Sequence, residues 1–135
     1  LIGNEANSIA PGKRPLSSMT PTIVLKENKP FLVIGSPGGS TIITTTMQTI
    51  LNVVDYEMDI KEAVCAPRFH SQWLPDVIQI EPRGLTKDVL INLKSRGHEV
   101  IYRGGYIGES NGIMITDEGL FGGGDCRGET SAIGY

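Results

Sequence analysis

The sequence is short of cysteine, of basic tracts and of long apolar runs, and each shortage removes a class of function. Its two cysteines, Cys65 and Cys126, lie far apart with no Cys-x-x-Cys pair. That spacing offers no metal site, and it neither implies nor excludes a disulfide. Twelve Lys and Arg stand against fifteen Asp and Glu, a net charge of −3. With no basic tract, nucleic acid is not an expected partner. No apolar run approaches the roughly 20 residues of a membrane-spanning helix. No signal peptide is visible, and the opening Leu1-Ile2-Gly3-Asn4 reads like the start of a piece cut from a longer chain.

What is present suits one domain. The 135 residues, 39% hydrophobic and 20% charged, are enough for a real core. Glycine clusters late, at Gly104-Gly105, Gly108, Gly112, Gly119 and Gly122-Gly123-Gly124, which predicts tight turns. There are no internal repeats and no low-complexity tract.

Residues 1–19 carry no clear period and predict an irregular extended segment, with Ser17 and Ser18 in a surface loop. Thr22 to Lys26 and Phe31 to Ile34 predict two strands joined by a turn, the second buried on both faces because Val33 and Ile34 are adjacent and apolar. From Thr41 to Val54 propensity and pattern conflict. Most residues are β-branched, yet Ile43, Met47, Ile50, Leu51 and Val54 fall at helical spacing. Length decides for a helix. Asp59 followed by Glu62 predicts a capped short helix to Cys65, stopped by Pro67. Arg68 to Asp76 reads as a loop, with His70 a structural histidine and Trp73 a packing anchor. A strand at Val77–Glu81, a helix from Thr86 to Arg96 and a strand at Glu99–Arg103 follow. A hairpin then turns at Asp117-Glu118-Gly119, and Asp125 and Arg127 are close enough to pair. The result is an α+β chain with hairpins, not a βαβ repeat.

One stretch concentrates the chemistry: Gly35-Ser36-Pro37-Gly38-Gly39-Ser40, between the second strand and the first helix. Adjacent glycines there bare the backbone, and Ser40 is placed to cap the helix. Backbone N–H groups at such a junction favour an anion. A tight strand-to-helix turn without a ligand accounts for the same residues. The loop is not a phosphate-binding P-loop, since no lysine follows Gly39. It lacks the dinucleotide Gly-x-Gly-x-x-Gly and the nucleophile-elbow Gly-x-Ser-x-Gly. No His/Glu zinc motif exists. A backbone donor site for an oxyanion survives, without an obvious nucleophile in the chain.

Three motifs carry a resemblance to a known family. Pro15-Leu16-Ser17-Ser18-Met19-Thr20-Pro21-Thr22-Ile23-Val24, followed by the glycine loop, resembles the C-terminal half of a gamma-glutamyltranspeptidase (glutathione hydrolase) small subunit. Ala66-Pro67-Arg68-Phe69-His70 with Gln72-Trp73-Leu74-Pro75-Asp76 resembles a second stretch of that family, and Gly134-Tyr135 its C-terminus.

The resemblance implies that residues 1–135 form an incomplete domain, part of an N-terminal-nucleophile hydrolase αββα sandwich. It implies a precursor that cleaves itself into two subunits. The new N-terminal threonine attacks a gamma-glutamyl amide such as glutathione and passes the acyl group to water or an amino acid. By the family motif, Gly38 and Gly39 match the oxyanion-hole pair, and Ser17 and Ser18 match the pair that contacts the glutamyl α-carboxylate. No cofactor is implied. The partners implied are the rest of the small subunit and the large subunit, and the compartment is periplasmic or extracellular. The nucleophile falls upstream of Leu1, so the chain alone is expected to be inactive and, with sheet edges bared, to self-associate. Related readings are another amide acylase, a poly-gamma-glutamate transferase, or a non-catalytic anion-binding scaffold. Where the family commonly has Asp-Pro-Arg, this chain has Asp125-Cys126-Arg127.

Overall fold

The computed structural model describes residues 4–134. Leu1–Gly3 and Tyr135, and with them the ends of the predicted leading segment and closing motif, lie outside the described residues.

A hairpin supplies the first two strands. Strand β1 (Thr22–Lys26) pairs antiparallel with β2 (Lys29–Gly35). Their two-residue turn, Glu27-Asn28, takes positive φ at both positions, 52° and 62°, the handedness that matches strand twist in a tight hairpin. Helices α1 (Ile42–Val54) and α2 (Ile60–Cys65) follow. Then come the short strands β3 (Phe69–Ser71) and β4 (Ile78–Ile80), helix α3 (Lys87–Ser95), and strands β5 (Val100–Tyr102), β6 (Asn111–Thr116) and β7 (Gly119–Gly123).

Two sheets result. One is antiparallel throughout, in the order β1-β2-β6-β7. The other runs β3-β4-β5, with β3 antiparallel and β5 parallel to β4. Leu32 and Ile34 point from β2 into a core completed by Val53 of α1 and Ile60, Ala63 and Val64 of α2. Asp59 caps α2, its carboxylate accepting from the amide of Glu62 at 2.7 Å.

Four expectations fail in instructive ways. Strand β2 is not buried on both faces. Val33 is exposed, because the four-stranded sheet is covered by helices on one side only. Phe69–Ser71 is a strand, not loop, since its backbone pairs with β4. Trp73 anchors nothing within the chain and is 87% exposed. Helix α1 is present, but its face is reversed. Thr41, Thr45, Thr46, Gln48, Thr49 and Val53 are buried, while Ile43, Met47, Leu51 and Val54 face out. Of the inward hydroxyls, Thr49 Oγ1 donates to the Thr45 carbonyl at 3.0 Å and Thr41 Oγ1 to the Gly38 carbonyl, whereas those of Thr45 and Thr46 are buried without a partner among the described residues.

Candidate active site

The glycine loop leaves β2 at Gly35 and passes through a single 3-10 turn, Gly39–Thr41, into α1. Ser36 anchors it. Its amide donates to the Met19 carbonyl at 2.8 Å, and its hydroxyl donates to the Pro37 carbonyl at 2.7 Å and accepts from the Glu109 amide at 3.2 Å. Ser36 is fully buried, whereas Gly38 and Gly39 are exposed.

Gly38 is a glycine for two reasons. Its φ of 139° is closed to ordinary side chains, and a Cβ there would come within 2.7 Å of Thr41 Oγ1 and 3.1 Å of the Gly108 Cα. Thr41 closes the turn, donating to the Gly38 carbonyl from its amide at 3.1 Å and its hydroxyl at 2.8 Å. No described residue accepts a hydrogen bond from the amide of Gly38 or Gly39. Around Gly39 nothing lies within 4 Å of where a Cβ would sit. The pair is therefore a bare, outward backbone surface. Ser40 does not cap α1. Thr41 stands at the N-cap position, and its hydroxyl is turned back to Gly38.

Ser17 and Ser18 lie in the exposed segment before β1, and neither hydroxyl bonds to a described residue. The bond from Ser36 to Met19 brings that segment alongside the end of β2. The segment that carries one predicted pair is thus bonded, through Met19, to the loop that carries the other.

Behind the loop lies a buried charge cluster of which the sequence showed only the Asp125–Arg127 pairing. Arg127 forks onto Glu81, Nε to Oε1 at 2.8 Å and Nη2 to Oε2 at 2.6 Å. Its Nη1 meets Asp125 Oδ1 at 2.9 Å. Arg68 Nη2 meets Asp125 Oδ2 at 2.7 Å. Burial opposes ionisation of Glu81, but Arg127 and the amides of Ile107 and Arg68 outweigh it and hold the carboxyl below its ordinary range. Burial is likewise overridden at Asp125, chiefly by Arg68. Desolvation lowers the Arg68 guanidinium, while the two carboxylates raise Arg127 against its own burial.

The cluster reaches the loop through Ile107. Glu81 Oε1 accepts from the Ile107 amide at 2.7 Å and Arg68 Nη1 donates to the Ile107 carbonyl at 2.8 Å. The next residue, Gly108, backs onto Gly38. A chain of contacts therefore runs from four buried charges to the exposed glycine pair. The only sequence signal for it was the charge following three glycines.

His70 is a structural residue, as expected. It is buried, and its Nε2 donates to Gln72 Oε1 at 2.9 Å, an oxygen oriented by the Gln72 amide donating to the Leu74 carbonyl. Its Nδ1 lies 2.8 Å from the Thr44 hydroxyl, which also donates to the Thr41 carbonyl at 3.1 Å. Among the described residues no group of three or more His, Cys, Asp and Glu is arranged to hold a metal.

A sequence model of the family Gamma-glutamyltranspeptidase matches residues 2–135. The glutathione hydrolase proenzyme of Escherichia coli K12 is 48% identical over 128 residues, covering 94% of this chain and 22% of that protein. The glutathione hydrolase proenzyme of a Pseudomonas species, strain A14, is 54% identical over 99 residues, 73% of this chain and 17% of that protein. A crystal structure of a threonine-to-alanine mutant of Helicobacter pylori gamma-glutamyltranspeptidase superposes with a TM-score of 0.82 at 52% identity, covering 95% of this chain and 70% of that one. The chain spans about a fifth of the length of the curated relatives it matches.

Proposed function

The chain belongs to the gamma-glutamyltranspeptidase family, and we propose that it serves as the oxyanion-binding and carboxylate-binding part of a longer gamma-glutamyltransferase or glutathione hydrolase. Its α+β architecture is shared with solved gamma-glutamyltranspeptidase structures, which supports a place within the N-terminal-nucleophile hydrolase fold. The observation that supports the reading is the bond from the Ser36 amide to the Met19 carbonyl, which ties the exposed segment of Ser17-Ser18 to the exposed loop of Gly38-Gly39.

The roles follow from the chemistry. Attack on a gamma-glutamyl amide makes a tetrahedral oxyanion, and the unoccupied amides of Gly38 and Gly39 donate to it. The substrate's α-carboxylate lies away from the reacting carbon and needs its own donors, which the hydroxyls of Ser17 and Ser18 provide. The nucleophilic threonine belongs to the remainder of the precursor, consistent with relatives named as proenzymes. An acyl-enzyme then gives hydrolysis or transfer according to the acceptor. The enzyme works in the periplasm or outside the cell.

The test uses the full-length processed enzyme with Ser17→Ala and Ser18→Ala. On a gamma-glutamyl anilide each variant raises KM or lowers kcat/KM by about tenfold or more, the loss of one hydrogen bond to a charged group. On the matching anilide lacking the α-carboxylate the difference from wild type disappears. Equal losses on both substrates would overturn the assignment.

A further inference from the structure

The two cysteines, distant in sequence, are brought side by side by the fold. Cys65 ends α2, and Cys126 follows the buried Asp125. The two segments are bonded on both sides of the cysteines. Lys61 Nζ donates to the Gly124 carbonyl at 2.7 Å. Arg127 donates to the carbonyls of Val64 at 3.0 Å and Ala66 at 2.7 Å, the residues that flank Cys65. Between these clamps Cys126 Sγ lies 3.9 Å from the Cys65 carbonyl. Both are free thiols, Cys65 half-buried and Cys126 exposed.

We propose that Cys65 and Cys126 form a reversible disulfide by exchange with a small-molecule disulfide, and that this bond locks the end of α2 to the segment carrying the buried charge cluster. The exposed thiol reacts first. Cys126 thiolate attacks the small disulfide, forming a mixed disulfide and expelling one thiolate. Cys65 thiolate then attacks the Cys126 sulfur and expels the second. Two protein thiols are oxidised to one disulfide, one small disulfide is reduced to two thiols, and the two protons go to the departing thiolates or to solvent.

The clamps matter because they hold the partners together before any bond forms. Exchange therefore joins segments that are already held side by side, which favours the second step over release of the mixed disulfide. Hydrogen bonding by the Cys126 thiol to Cys65, and then burial, hold that thiol above its ordinary pKa. Thiolate is consequently scarce at neutral pH, and exchange runs faster in mildly alkaline solution. Pro67 and the cap on Asp59 keep α2 short and fixed, so the lock joins two rigid ends and does not draw in a loose loop.

The experiment treats the full-length protein with the disulfide of mercaptoethanol, which carries no gamma-glutamyl group, at mildly alkaline pH. Peptide mapping without reductant is expected to recover a Cys65–Cys126 cross-linked peptide, and reduction is expected to return both thiols. In Cys65→Ser, Cys126 is expected to retain the mercaptoethanol adduct. The oxidised wild type is expected to unfold several degrees higher than the reduced form, with no such shift in Cys126→Ser. A lasting adduct on Cys126 in the wild type, a cross-link between two molecules, or two unreacted thiols would each overturn the proposal.

Discussion

Arg68 and Asp125 meet at 2.7 Å with both side chains shut away from water, their exposures 2% and 0%. Asp125 also pairs with Arg127, but Arg68 has no other ion pair among the described residues, so removing Asp125 strands Arg68. Asp125→Asn keeps the shape and abolishes the charge. It is expected to cost about 3–5 kcal/mol, the cost of breaking a buried pair from one side. Denaturant unfolding of the full-length protein reads this directly. A loss below about 1 kcal/mol would mean that Glu81 compensates both arginines alone.

The same cluster sets a pH dependence. Glu81 and Asp125 are both held below their ordinary values of 4.5 and 3.8. A carboxyl whose folded pKa is depressed contributes stability that is fully present above the unfolded pKa and fades as pH falls through the folded one. Unfolding midpoints are therefore expected to stay level from neutral pH to the ordinary carboxylate range and to fall below it. Glu81→Gln should flatten part of that fall. An unchanged slope would show that other carboxylates carry it.

Gly108 transmits the cluster to the candidate oxyanion loop, and it has no room to change. Its φ is 64°, and a Cβ would collide with the Thr45 side chain and come within 3.0 Å of Ser36 Oγ. Gly108→Ala is expected to cost about 2–4 kcal/mol in stability, from backbone strain together with overpacking. It should also lower kcat/KM of the full-length enzyme, since Gly38 rests on Gly108. Gly105→Ala, with nothing within 4 Å, is the control and should be silent. Thr45→Ala in the Gly108→Ala background relieves the collision and should recover part of the stability. No recovery would place the damage in the backbone alone.

Local chemistry was the legible part of the sequence. Asp59 read as a cap and is one, and the hairpins and helices lie where turn residues and periodicity put them. The candidate residues Gly38, Gly39, Ser17 and Ser18 were found by motif, and the structure adds that two of the four are reached by way of Met19 and Ser36. What stayed hidden depends on long-range pairing. The strand at Phe69–Ser71 exists because β4 accepts it, which no window of three residues reveals. The cluster joining Arg68, Glu81, Asp125 and Arg127 draws on positions far apart in the chain, and the meeting of Cys65 with Cys126 on positions 61 apart. In helix α1 hydrophobicity does not mark burial. Its threonines go inward, where Gly108 comes close, and its apolar side chains go out.

Those outward side chains carry the last expectation. Ile43, Met47, Leu51 and Val54 form one apolar stripe along α1, and Ile43 is 68% exposed. On the far face of the four-stranded sheet, Val33, Ile113 and Leu120 line an open cavity of about 1060 Å³ that the closing residues from Thr130 to Gly134 only border. Strands β1 and β7 also each keep one free edge among the described residues. Contiguous apolar surface and unpaired edges of this kind seek a partner. In the longer protein we expect the remaining polypeptide to cover them. The isolated 135-residue chain is expected to associate with itself, and light scattering over a range of micromolar concentrations should show a mass that rises with concentration. Ile43→Lys together with Met47→Lys breaks the stripe without touching the core and should shift the distribution towards monomer. A monodisperse monomer of the unaltered chain would show that the stripe and the edges are already satisfied within these residues.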